Sequence, residues 1–238
     1  MEYKEFEKEI IKNGKKIGLD IAEKESKNLY KYMLLMLEWN ENVNLTAITE
    51  EKEIIYKHFI DSLSVNKYLT NKEKIMDIGT GAGFPGIPLK IFNEDLNFIL
   101  VDSLNKRINF LEEVKNELNL NKLELVHARA EELAKNKNYR ENMDIVVSRA
   151  VARLRILAEY MLPFVKKNGI CICMKGPNIE EEIEESKKSL EILGGKIEKI
   201  EHIVLPGDLE RNIILIRKIK ETPSRYPRKA GTPVKQPL

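Results

Sequence analysis

The chain has 238 residues, a third of them charged, with 40 Lys and Arg against 38 Asp and Glu for a net charge of +2. That length fits one large α/β domain with a small appendage, and 42% apolar content is enough for a sizeable core. No apolar run approaches the roughly 18 residues of a membrane span, and the start, Met1 to Glu9, is charged and lacks a signal-peptide apolar stretch. No membrane-spanning helix is expected, and a cytoplasmic chain is expected.

The charges are unevenly spread. From Arg217 onward there are seven basic residues (Arg217, Lys218, Lys220, Arg225, Arg228, Lys229 and Lys235) against Glu221 alone, which leaves the rest of the chain net acidic. An acidic body with a basic end suits an anionic partner; a solvated terminus is the plainer reading.

Residues 1–70 read as a helical cap. Leu29, Met33, Met36 and Leu37 recur at helical spacing, Asn40 to Thr46 forms a polar break, and Ile54, Ile55, His58, Phe59 and Leu63 resume the spacing. From Lys74 the pattern becomes short apolar strands alternating with amphipathic helices. The strands are Ile75–Ile78, Phe98–Val101, Leu123–Val126, Ile145–Ser148 and Ile170–Met174; the helices are Gly86–Phe92, Leu104–Leu118, Ala130–Ala134 and Leu154–Val165. Continuously apolar strands are buried on both faces, as in a parallel sheet covered by helices. A further helix, Ile179–Leu193, precedes two strands, Lys196–Leu205 and Asn212–Lys218, joined around Pro206-Gly207-Asp208. The expected fold is a Rossmann-like, seven-stranded α/β sheet, mostly parallel with an antiparallel last strand. The domain spans 71–220. Residues 221–238, with four prolines, are expected to be a flexible basic tail.

Asp77-Ile-Gly79-Thr-Gly81-Ala-Gly83 follows the first strand and leads into a helix. Glycines there allow a sharp turn and let backbone approach a ligand, at the place where doubly wound sheets bind nucleosides. Asp102 ends the second strand, nineteen residues after Gly83, where a carboxylate can accept from both ribose hydroxyls. A dinucleotide asks for Gly-x-Gly-x-x-Gly and a pyrophosphate on the helix N-terminus. Here the spacing is Gly-x-Gly-x-Gly, and Asp77 would repel a pyrophosphate while suiting a cationic ligand such as S-adenosylmethionine. A tight turn without cofactor is the bland alternative.

Other polar residues gather at strand ends. His127-Ala-Arg-Ala130-Glu131 follows the third strand, where polar groups reach an adenine edge; Glu131 equally suits a first-turn carboxylate on the helix dipole. Arg149 follows the fourth strand and, being permanently protonated, can orient a carboxylate or phosphate but cannot act as a base. Lys175 ends the fifth, as a phosphate contact or a solvated terminus. His58 and Asp61, one helical turn apart, form a small polar site facing the glycine loop or a structural pair. No residue set has metal-ligand spacing, so no metal is expected. Cys171 and Cys173 alternate in a strand and read as small buried residues in a reduced compartment.

Together the stretches Trp39–Thr46, His58–Ser62, Asp77–Leu89, Asp102–Arg107, Arg129–Glu131, Ser148–Ala150 and Lys175-Gly176 resemble the bacterial small-subunit ribosomal RNA guanine-N7 methyltransferases, the glucose-inhibited division protein B family. The ending Tyr226-Pro-Arg-Lys-Ala-Gly-Thr-Pro resembles that of Gram-positive members; residues 1–28 match nothing in the family pattern. The resemblance implies a class I S-adenosylmethionine-dependent fold and methyl transfer to a guanine N7 in 16S rRNA of the small ribosomal subunit; a monomer is expected, although no sequence feature carries that expectation. The resemblance also implies cofactor contacts at Gly79, Phe84, Ala130, Glu131 and Arg149, to which the loop reading adds Asp77, Gly81 and Asp102. It assigns no catalytic residue; Arg149, Lys175 and His58 are candidates for orienting the substrate. A methyltransferase of another substrate, and an RNA-binding protein with a relic pocket, remain open alternatives.

Overall fold

The computed structural model describes all of residues 1–238. Two long helices, α1 (Tyr3–Lys16) and α2 (Glu23–Val43), open the chain. A helical segment follows, built from α3 (Glu51–Ile54), a π-helical turn (Ile55–Ile60) and α4 (Asp61–Leu63). The strands and helices then alternate: β1 (Lys74–Ile78), α5 (Gly86–Phe92), β2 (Asn97–Asp102), α6 (Asn105–Glu117), β3 (Leu123–His127), α7 (Ala130–Leu133), β4 (Met143–Arg149), α8 (Leu154–Met161), β5 (Val165–Lys175) and α9 (Glu180–Leu193). A hairpin of β6 (Gly195–Leu205) and β7 (Leu209–Lys218) closes the sheet, and α10 (Thr232–Lys235) ends the chain.

The sheet order is β3-β2-β1-β4-β5-β7-β6. The first five strands are parallel to one another, and β7 is antiparallel to both β5 and β6. The parallel register brings the carboxyl ends of β1, β2 and β4, which carry Ile78, Asp102 and Arg149, to one edge. The chain reverses order between β1 and β4 there, which opens the crevice in which such sheets bind ligands.

Each apolar strand is split between two faces by the two-residue period of a strand. Ile75, Phe98, Leu100, Val147 and Ile172 point into one core; Met76, Ile99, Val101, Val146, Cys171 and Cys173 point into the other. The first core is completed by the cap: Phe6, Ile10, Leu29, Tyr32, Met33, Met36 and Phe59 are fully buried in it with Ile87 and Phe110. Fully burying such side chains contributes about 1.5–3 kcal/mol each, so the cap is held as part of the domain's own core.

Two sequence expectations are corrected here. The helix expected at Leu154–Val165 stops at Met161, and β5 begins at Val165; Pro163 has no N–H with which to extend the helical hydrogen-bond ladder. The larger correction concerns residues 221–238. The segment packs along the domain with Thr222, Tyr226, Pro227 and Pro233 buried, and includes α10. Proline removes the segment's own hydrogen bonding, but side chains of the domain supply it: Arg140 donates to the carbonyls of Thr222 and Tyr226, both at 2.8 Å, and Glu141 accepts from Thr222 N at 2.7 Å.

Candidate active site

The glycine loop is built by Asp77. Its carboxylate is fully buried, and Oδ2 accepts from Thr80 Oγ1 at 2.7 Å and from Gly86 N at 3.0 Å, clamping both ends of the turn. Oδ1 is buried with no partner. Burial pushes Asp77 up to about 7, against the opposing pull of these two donors. Gly81 sits at φ 64° with open space where a side chain would stand, so a ligand can lie against its backbone. At Gly79 a Cβ would come within 2.6 Å of Val151 on the loop after β4. The other face of the turn is tied to the cap, since the Tyr32 hydroxyl donates to the Ala82 carbonyl.

Asp102 holds the same turn from the next strand. Its Oδ2 accepts from Gly81 N at 2.9 Å and from Arg107 Nη1 at 3.2 Å, and Oδ1 accepts from Leu104 N at 2.9 Å. A carboxylate offers about four lone-pair sites, so one acceptor position remains. Beside it lies a cavity of about 330 Å³, the size range of small-ligand sites. Gly79, Asp102, Ala130 and Glu131 line it, together with Tyr160 and Gly231, which sequence reasoning did not single out. A larger polar groove of about 660 Å³, lined by Lys24, Lys90 and Lys122 among others, lies at the opposite, amino-terminal edge of the strands, away from the glycine loop.

Phe84, Arg149 and His58 form a second cluster on the other side of the turn. The His58 ring stacks on Phe84 at 4.3 Å and 19°, and the Arg149 guanidinium lies 4.8 Å from the same ring. Arg149 donates to Lys57 O at 2.8 Å, Asp61 Oδ2 at 2.9 Å and His58 Nδ1 at 3.1 Å. Asp61, only 1% exposed, accepts from Arg211 Nε at 3.1 Å through its other oxygen. An arginine can only donate, so His58 Nδ1 is unprotonated and Nε2–H faces Thr46 Oγ1 at 2.9 Å. Burial, reinforced by Arg149, lowers His58 to about 3, so the ring is neutral at physiological pH. The π-helical turn carries His58 and presents it to the loop; such turns recur at functional sites.

Lys175 belongs to neither group. Its Nζ donates to Ala152 O at 2.5 Å and pairs with Glu182 at 2.7 Å, holding the loop after β4 instead of presenting a free ammonium. No group of three or more His, Cys, Asp or Glu side chains is arranged to hold a metal ion. No helix is long and apolar enough to cross a membrane.

The donor set suits S-adenosylmethionine. The open backbone at Gly81 and the remaining acceptor position of Asp102 at the end of β2 suit a nucleoside, whereas Asp77 is fully buried behind the turn and does not line the cavity. Solved structures share the fold: a ribosomal protein L11 methylase from Lactobacillus delbrueckii (TM-score 0.52, 15% identity, 69% of this chain and 79% of that one) and TYW2 from M. jannaschii in complex with AdoMet (TM-score 0.52, 18% identity, 67% and 77%). Much nearer relatives in sequence are ribosomal RNA small subunit methyltransferases G. That of Alkaliphilus oremlandii is 49% identical, covering 97% of this chain and 98% of the relative; that of Lachnoclostridium phytofermentans is 52% identical, covering 96% of each. The family model described as rRNA small subunit methyltransferase G matches residues 25–214, and with this agreement the chain belongs to that family.

Proposed function

We infer that this protein transfers a methyl group from S-adenosylmethionine to N7 of a guanine in 16S rRNA. The observation that carries the reading is the cavity between Gly79, Asp102 and Ala130–Glu131 in a chain of this family. When bound, S-adenosylmethionine supplies an electrophilic methyl group on a sulfonium sulfur. With its one remaining acceptor position Asp102 can accept from a ribose hydroxyl, the segment Ala130–Glu131 can border the base, and the Gly79–Gly81 backbone can meet the amino-acid end.

Guanine N7 carries a lone pair and no proton, so no side chain has to remove one before attack. The work left to the chain is alignment and exclusion of water. Three of the five N–H donors of Arg149 are engaged. The remaining two can receive a carboxylate or a phosphate. Its pairing with Asp61 matters here, because an unneutralised cation beside the purine would oppose the positive charge that grows on the ring. Lys106, Arg225, Lys229 and Lys235 are exposed and can add phosphate affinity that falls with salt. The substrate in this reading is the small ribosomal subunit or its RNA, met by a monomer in the cytoplasm, with no metal.

The test is incubation with labelled S-adenosylmethionine and, separately, undermethylated 30S subunits, naked 16S rRNA and total protein. Label recovered as 7-methylguanosine after digestion of 16S rRNA is the expected result. Label in protein, or none from a folded enzyme that binds the cofactor, overturns the reading.

A further inference from the structure

The C-terminal segment lies outside the stretch matched by the family model, yet it reaches the cofactor cavity. We propose that residues 230–238 form the adenine-side wall of that cavity, and that Glu131 acts through this wall, as a positioning residue. The proposal rests on the reading of the cavity as the S-adenosylmethionine site.

Two anchors deliver the segment to the cavity. Arg140 holds the carbonyls of Thr222 and Tyr226. Further on, the Arg228 guanidinium pairs with Glu159 at 2.6 Å, and the Arg228 backbone N–H donates to the same carboxylate at 2.8 Å. Glu159 is 1% exposed, and removing one partner of a buried charge pair is costly, so this anchor is firm. Immediately after it the backbone turns at Gly231, with φ 82°, and Gly231 N donates to Glu131 Oε1 at 2.9 Å. Gly231 and Val234 then line the cavity with Tyr160.

This arrangement changes what Glu131 does. Its side chain, 5% exposed, lines the cavity and is tied to the tail through Oε1, which gives it a route to the cofactor through Gly231. Val234 is 59% exposed although it borders the cavity. A large exposed aliphatic side chain at the rim is what a purine face would cover. The wall therefore adds apolar contact on a side that the strands leave open.

The test compares binding of S-adenosylmethionine by calorimetry to the full chain, a chain ending at Lys229, Glu131→Ala, Glu131→Gln and the truncated chain carrying Glu131→Ala. The shortened chain keeps both anchors. It is expected to bind about tenfold more weakly, and Glu131→Ala to lose affinity in the same direction. Glu131→Gln, whose amide oxygen still accepts, stays close to the parent. Because Glu131 and the tail act through one contact, Glu131→Ala adds no further loss in the shortened chain. Parent-like affinity of the folded shortened chain overturns the proposal, as does a full extra loss from Glu131→Ala in that background, which would mean direct contact with the cofactor. If the shortened chain does not fold, Val234→Glu in the full chain takes its place: weaker cofactor binding at unchanged melting temperature is expected, and unchanged affinity overturns the proposal. Failure of the parent chain itself to bind S-adenosylmethionine would overturn the cofactor reading, a result distinct from all of these.

Discussion

The two sides of the glycine turn contrast sharply. Toward β2 and β3 there is a cavity whose lining groups keep unused hydrogen-bonding capacity, such as Asp102 Oδ1. Toward β4 and β7 the space is filled by Phe84, His58, Arg149, Asp61 and Arg211, which are tied to one another and leave two Arg149 donors at the edge of the cluster. The difference teaches that residues clustered near the glycine turn divide into those that border open space and those whose main contacts are with one another. The filled side joins the cap to the sheet edge.

The largest expected effect on this contrast comes from the open side. Gly81→Asp puts a side chain into the free space, forces an L residue to φ 64° and sets a second carboxylate beside Asp102. Cofactor affinity measured by calorimetry should fall more than about a hundredfold, with circular dichroism still showing a folded chain. Unchanged affinity would break the assignment of the open side.

The next effect is a pH dependence. Because the folded state holds the Asp77 proton more tightly than the unfolded chain does, its stabilising contribution is complete below about 4. It is lost as pH rises through about 7. Denaturant unfolding of Asp77→Asn should lack this loss, which in the parent is of order 2–4 kcal/mol between pH 4 and 8. A mutant with the parent's pH profile would show that Asp77 is not the group responsible.

Asp61→Ala should come third. It leaves Arg149 and Arg211 without their shared carboxylate, and both are only 13% and 23% exposed. Global stability should drop by about 2–3 kcal/mol, with cofactor affinity changed far less, which would sharpen the division between holding and receiving groups. A selective loss of cofactor binding would move Asp61 to the receiving side. The smallest effect is Tyr32→Phe, which leaves the Ala82 carbonyl unpaired and should cost about 1 kcal/mol in the same unfolding measurement.

What the sequence could reveal follows from the range of each interaction. The seven strands were legible because apolar runs and turn residues are local signals, and the turn at Gly79–Gly83 was legible because its glycines answer a local backbone need. Gly79, Asp102, Ala130 and Glu131 do line one cavity. Asp77 was read as a partner for a cationic ligand, but its Oδ2 is spent on Thr80 and Gly86. The filled cluster was legible only as fragments, since Arg149 meets His58 across 91 positions and Asp61 meets Arg211 across 150. The tail was misread for a related reason. Proline content reports what a segment can do for itself, and says nothing of Arg140, Glu159 and Glu131 waiting elsewhere in the chain to bind it.

A crystal structure of the protein with S-adenosylhomocysteine tests the central claim most directly. The account predicts the nucleoside in the 330 Å³ cavity, with a ribose hydroxyl on Asp102 and its base between Ala130 and Gly231, while the His58–Arg149–Asp61 cluster keeps its contacts. A nucleoside bound in place of that cluster, or in the polar groove at the opposite edge of the sheet, would contradict it.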